Sequence, residues 1–295
     1  VMENVIEVPL EPTTLQTIIF CVLLVSISIF LLRTLGRSIQ KSTPLKKLAS
    51  TDLFPWKLSS VFMLFGFFLL GQVAVVSFAL TSSPEGGEAT AIELDSPLAF
   101  IGLSLVNLLV SAIAFLVYRS WQTRHPETAS FWLGSKGGVR TALKLGFLAL
   151  LCWVPGHLGL AGLWSLCLEG LDVQLNAQES VMMMSQALEQ SNWALIIPLC
   201  FYGIVMAPIA EEILFRGVLF RWLHGHMGFI VALGVSSIAF ALVHDSVASW
   251  LPIAALGGVC SWLYHRSGQL LASITLHATF NTSTFLLITI FQEKI

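Results

Sequence analysis

The sequence predicts an all-α, polytopic integral membrane protein of about eight transmembrane helices, and three observations carry that prediction. The 295 residues are 56% hydrophobic and 11% charged, with a mean hydropathy of +0.82, whereas a soluble domain carries about 25% charged residues. A soluble fold of this mass has too much surface to hide so much apolar sequence, so the excess faces lipid. The apolar residues also fall into runs near the roughly 20 residues that a helix needs to cross a bilayer. Finally, the connectors between the runs alternate between basic and acidic.

The runs are 14–32, 58–80, 98–118, 142–168, 193–219, 229–244, 247–264 and 270–291. The sixth is near the short limit and several others are long enough to tilt. After the first run, residues 33–57 hold Arg33, Arg37, Lys41, Lys46, Lys47 and Lys57 against Asp52 alone. Glu85, Glu88, Glu93 and Asp95 follow the second run. The third is followed by Arg119, Arg124, Lys136, Arg140 and Lys144, in a loop made irregular by Pro126, Gly134, Gly137 and Gly138. Glu169, Asp172, Glu179 and Glu189 follow the fourth, in a loop of about twenty residues that predicts a short amphipathic helix over 181–188. Arg216 and Arg221 flank the end of the fifth run and Arg266 follows the seventh. Basic connectors stay on the cytoplasmic side, so eight spans with both termini on the other side satisfy every connector.

Composition also narrows function. A formal net charge of −2 predicts no nucleic-acid partner. Cys21, Cys152, Cys167, Cys200 and Cys260 all lie in apolar stretches without paired spacing and read as small buried hydrophobes. Glu3, Glu7 and Glu11 stand where a secretory signal would be basic. Spans one to four (within residues 1–192) carry no acidic residue in their cores. Their one ionisable candidate, His157, follows Pro155 and Gly156 and reads as structural, beside a proline-induced break.

Ionisable groups inside a membrane are costly and mark function by default, and they concentrate in residues 193–295. In Ala207-Pro208-Ile209-Ala210-Glu211-Glu212-Ile213-Leu214-Phe215-Arg216, successive helical residues point about 100° apart, so the two carboxylates cannot share a face. Glu212 and Arg216 are i,i+4 neighbours and pair, which leaves Glu211 as the chemically available acid or base. Phe240 and His244 share a face of the sixth span, and His277 and Asn281 share one of the eighth. Counted from the basic ends at 1.5 Å per residue, Glu211, His277 and Asn281 sit roughly 10–18 Å deep and His244 roughly 20–24 Å, so one water-filled cavity near mid-membrane can hold all four. A carboxylate and an imidazole hold water and take its proton. Imidazole and amide N–H groups stabilise an oxyanion, worth about 3 kcal/mol per donor.

The ordered trio EExxxR at Glu211–Arg216, FxxxH at Phe240–His244 and HxxxN at His277–Asn281 resembles the CAAX protease and bacteriocin-processing family, also called the Abi family. That family includes the type II CAAX prenyl endopeptidases. The resemblance covers about residues 193–291 and implies an intramembrane endopeptidase. Carried over position by position, it implies that Glu211 and His244 activate water and that His277 and Asn281 form the oxyanion hole. Glu212 and Arg216 support them. The implied partners are membrane lipids and a protein or peptide substrate, which in one version is lipidated.

No cofactor is required by this reading, although Glu211, His244 and His277 could supply a His₂Glu zinc set; the HExxH signature is absent. Two other classes compete with a protease. A proton- or ion-coupled transporter would relay protons through the same residues but predicts symmetry between halves of the chain, and here the polar residues sit in one half. A non-catalytic scaffold or immunity protein has no use for an unpaired Glu211 facing two histidines.

Overall fold

In the computed structural model, residues 13–42, 57–81, 97–124, 138–173 and 175–291 are described. They form ten α-helices and no strand among the described residues: α1 Thr14–Ser42, α2 Leu58–Thr81, α3 Pro97–Arg124, α4 Gly138–Glu169, α5 Glu179–Glu189, α6 Trp193–Phe201, α7 Ala207–Glu212, α8 Arg221–Leu242, α9 Trp250–Ser267 and α10 Leu270–Phe291. The expected charges Glu3, Glu7, Glu11, Lys46, Lys47, Asp52, Glu85, Glu88, Glu93, Asp95 and Lys136 lie outside the described residues, as do Pro126, Gly134 and Gly137. Seven helical stretches are long and apolar enough to cross a membrane. Their outer faces carry the side chains a soluble protein would hide, among them Phe30, Phe62, Leu70, Ile230 and Ile290, which is the surface lipid demands. The all-α, multi-pass fold is therefore as expected.

The fifth and sixth spans form one helical stretch, Trp193–Leu242, of 50 residues. At 1.5 Å per residue it would measure about 75 Å, far more than a bilayer core of about 30 Å. It crosses twice because Gly228 reverses it, at φ 80° and ψ 176°, a conformation open only to glycine. Seven apolar stretches therefore make eight passes. The stretch also contains two π-helical segments, Tyr202–Met206 on one side of α7 and Ile213–Phe220 on the other.

Two expectations need correction. Pro155 does not break its helix: α4 runs unbroken through it. In a membrane, neighbouring helices re-satisfy the backbone around a proline, and here Ser28 donates to the Cys152 carbonyl at 2.8 Å. The first span is longer than the apolar run, because α1 continues past Arg33 and Arg37 to Ser42. The short helix in the acidic loop is present as α5 and buries Met184 and Ala187.

Small residues set the packing. A Cβ on Gly146 would lie 2.6 Å from the Ala272 carbonyl, and one on Gly159 would lie 2.5 Å from the Cys21 carbonyl. α4 is thus in backbone contact with both α10 and α1, the close approach that small residues permit in lipid. Ser273 donates to the Cys260 carbonyl at 2.8 Å and ties α10 to α9. α4, α8, α9 and α10 with the 193–220 segment surround an interior space, which α2 also lines.

Candidate active site

The interior space is a cavity of about 590 Å³, lined by Glu211, Phe240, His244, His277 and Asn281 among others. That volume suits a peptide segment rather than a single water. Three elements bring the residues together: α7 supplies Glu211, α8 carries Phe240 in its last turn with His244 two residues past its end, and α10 presents His277 and Asn281 one turn apart.

The two adjacent carboxylates diverge as helical geometry requires. Glu212 is fully buried and its Oε1 lies 2.9 Å from Arg216 Nη1 in an ion pair. Arg216, also fully buried, donates through its other terminal nitrogen to the Gly257 carbonyl at 2.9 Å and lies over the Phe240 ring at 4.3 Å. Position 257 is tight around this pairing, since a Cβ there would sit 3.1 Å from both the guanidinium and that ring and one of them would have to give by a few tenths of an ångström. Glu211 faces the cavity instead. Its side chain is 14% exposed, and its Oε2 has no hydrogen-bond partner among the described residues and lies 3.9 Å from His277 Nε2.

His277 joins the two carboxylates. Its Nδ1 lies 3.2 Å from Glu212 Oε1, and a carboxylate only accepts, so Nδ1 carries a proton and Nε2 is turned toward Glu211. His244 is set by the same logic. Its Nδ1 lies 2.8 Å from the Phe240 carbonyl, so Nδ1 donates and the neutral ring keeps a bare Nε2. Trp250 donates to the His244 carbonyl at 3.0 Å. Phe240 separates the two imidazoles, its centroid 5.0 Å from His244 and 5.5 Å from His277, edge to face with both.

Asn281 Nδ2 donates to the Gly203 carbonyl at 2.7 Å, which lies in the first π-helical segment. π-turns recur at functional sites because they displace backbone groups from the regular ladder. Here the wide turn meets α10, and a Cβ on Gly203 would press to 3.0 Å from the Phe285 ring. One Asn281 N–H is used in this contact and the second is left for the cavity.

Three lining residues escaped sequence reasoning. His157 of α4 reaches the cavity, stacks edge-on against Phe280 at 4.7 Å, and its Nδ1 has no partner among the described residues. Its sequence signal is local: it is the one ionisable side chain in the cores of the first four spans, two residues after Pro155. Gln72 of α2 donates to fully buried Asn107 of α3 at 2.6 Å. Gln72 and Tyr202 both line the cavity. Amides inside apolar helices were the available signal.

The donor set can be tested against zinc. A His₂Glu site needs three donors each about 2 Å from one point, and of the three candidates His277 Nε2 and Glu211 Oε2 stand 3.9 Å apart. Among the described residues, no group of three or more His, Cys, Asp or Glu side chains is placed to hold a metal ion. As placed, Glu211, His244 and His277 do not form a coordination shell.

Against known proteins, residues 192–283 match the Rce1-like family, described as type II CAAX prenyl endopeptidase Rce1-like. This stretch is similar to that family. The family resemblance drawn from the three motifs is thereby borne out over those residues, which include Glu211, His244, His277 and Asn281. The chain is 33% identical over 78 residues to "Putative membrane peptidase YdiL" of Bacillus subtilis (strain 168), a match covering 26% of this chain and 32% of that protein. It is also 33% identical over 79 residues to "UPF0177 protein YxdF" of Lactococcus lactis subsp. lactis (strain IL1403), covering 26% and 42%. The chain thus matches less than half the length of these relatives. No solved structure matches. His157, Gln72 and Asn107 lie outside the matched residues, so the cavity is partly walled by helices the match does not reach.

Proposed function

We propose that the protein is an intramembrane endopeptidase that hydrolyses a peptide bond of a membrane-associated protein or peptide with a water activated by Glu211 and His244. The convergence of Glu211, His244, His277 and Asn281 on one cavity inside the membrane carries this reading. The Rce1-like match and the name of the Bacillus relative support it.

In the reaction, a water beside Glu211 gives its proton to the carboxylate or to the bare His244 Nε2 as its oxygen bonds to the scissile carbonyl carbon. The carbonyl becomes an oxyanion, held by the free Asn281 N–H and by His277 Nε2. His277 donates there only as the imidazolium, because its Nδ1 proton is already committed to Glu212; the adjacent Glu211 and Glu212 carboxylates balance that charge. Collapse of the oxyanion breaks the C–N bond, and the captured proton passes to the leaving amine. Arg216 acts through Glu212, as a positioning residue. No step is routed through a metal ion.

The test is hydrolysis of a panel of lipidated and transmembrane peptides by the purified protein, beside Glu211→Ala, His244→Ala and Asn281→Ala. The wild type is expected to cleave at least one peptide, and Asn281→Ala to lose about 10²–10³ in kcat, the usual loss for one oxyanion donor. Cleavage that persists in Glu211→Ala would sink the mechanism. Activity lost to chelators and restored by zinc would replace the metal-free version with a metal-dependent one.

A further inference from the structure

The helix ends sort by charge. α1 and α4 run antiparallel, since Ser28 meets Cys152 while Cys21 meets Gly159, so Arg33 and Arg37 lie at the same end as Arg140 and Lys144. Trp262 packs on Gly36 and places Arg266 at that end too. Phe220 and Arg221 meet Tyr264, which adds Arg221. The opposite end carries Glu169, Asp172, Glu179, Glu189 and Asp245. There, Asp245 accepts from the Glu179 backbone N–H at 2.9 Å, Ser246 donates to the Asn176 carbonyl at 2.6 Å, and Trp164 donates to the Val247 carbonyl at 2.8 Å.

The cavity belongs to the acidic end. Its rim is Ala177, Gln178, Ser180, Asp245, Ala248 and Ser249, in the two acidic-end connectors. Every helix that lines it contributes residues between that end and mid-membrane: His157 and Ala161 of α4, Pro252 to Leu256 of α9, and His277 to Phe285 of α10. Toward the basic end the space is shut. Phe215, Arg216, Phe220 and Phe240 are at most 1% exposed. Phe215 stacks edge-on with Phe65 and with Phe240, each at 5.1 Å, and Arg216 covers the other side of Phe240.

Basic helix ends stay in the cytoplasm. From this arrangement, and resting on the peptidase reading above, we infer that the cavity opens to the non-cytoplasmic face of the membrane. Its substrate is a polypeptide segment displayed on that face. The rim refines the substrate further. Asp245 lies on it, with the Glu179 backbone bonded to that carboxylate, and no lysine or arginine is among the described lining residues, so a free C-terminal carboxylate has no counter-ion there. The scissile bond is therefore internal to the segment, with a neutral or basic stretch at the rim.

The test is labelling of the full chain by a membrane-impermeant maleimide in right-side-out and inverted vesicles, with modified sites read by peptide mass spectrometry. Natural Cys167, exposed near the acidic end of α4, needs no substitution and is expected to react only in right-side-out vesicles. Ser249→Cys at the rim should behave the same way, and exposed Arg140→Cys should react only in inverted vesicles. The reverse pattern overturns the inference. So does a Ser249→Cys chain that reacts from neither face while its Cys167 reacts, since the cavity would then be entered through the lipid. Labelling requires no catalysis, so a chain that labels as expected yet cleaves no peptide from outside sealed vesicles refutes the peptidase reading and leaves the orientation standing.

Discussion

The floor of the cavity and its upper wall use the same chemical groups in opposite ways. At the floor, Glu212, Arg216, the Gly257 carbonyl and His277 Nδ1 contact one another, and both charges are fully buried. Directly above, Glu211 and His244 Nε2 face open volume. Both levels contain a carboxylate and imidazole nitrogens, and adjacent residues of one helix supply the two carboxylates. What separates them is partnership. A buried charge that is paired holds helices in register, whereas one left unpaired at a cavity wall is a cost that only chemistry explains.

Exchanging charge for an isosteric amide at each level breaks this comparison most directly. Glu211→Gln is expected to lower turnover about 10²–10⁴-fold, the range for a general base, and to leave the melting temperature in detergent unchanged, because Glu211 makes no hydrogen bond the amide would lose. Glu212→Gln should lower both, since the guanidinium loses its counter-charge and His277 its anionic partner. If Glu211→Gln melts early while still cleaving, the roles of the two levels are reversed.

The floor has its own test. Arg216→Met leaves Glu212 buried without a cation, which costs about 3–5 kcal/mol where one partner of a buried pair is removed. Replacing both, as Glu212→Leu with Arg216→Met, should recover most of that stability in a denaturant or thermal titration, because an apolar pair avoids the desolvation of two charges. Activity should not return with it, since His277 Nδ1 still lacks an acceptor. Recovery of both would mean that the floor only fills space.

These expectations also mark how far the sequence was legible. Spans follow from composition, and the divergence of Glu211 from Glu212 follows from 100° per residue. Anything local to one helix could be read. The contact of His277 with Glu212 joins residues 65 apart, and no periodicity announces it, so His277 was assigned to the oxyanion side without the bond that fixes its proton. The π-turn at Tyr202–Met206 was equally silent, because its apolar residues read as ordinary helix; it exists where α10 presses on Gly203. The reversal at Gly228 was visible only as a gap between two apolar runs. His157 is different in kind: its signal was local, and a rival local signal, Pro155, outweighed it.

The rim gives the smallest and sharpest contrast with the floor, because its charges are close without being paired. Glu179 is half-buried at the start of α5. Burial pushes its carboxyl above the usual glutamate value, and Asp245, which already caps the helix through the Glu179 N–H, pushes it further in the same direction. A carboxyl raised in the folded state binds protons more tightly folded than unfolded, so stability falls as pH rises from the ordinary glutamate value through the raised one and then levels off. Near neutral pH, Glu179→Gln should therefore be slightly more stable than the wild type, and the difference should vanish below the ordinary glutamate range. The effect should be local, seen as slower amide hydrogen exchange across α5 and only a small shift in global melting. A stability difference that stays constant across that pH range would mean that neither burial nor Asp245 acts on the Glu179 carboxyl.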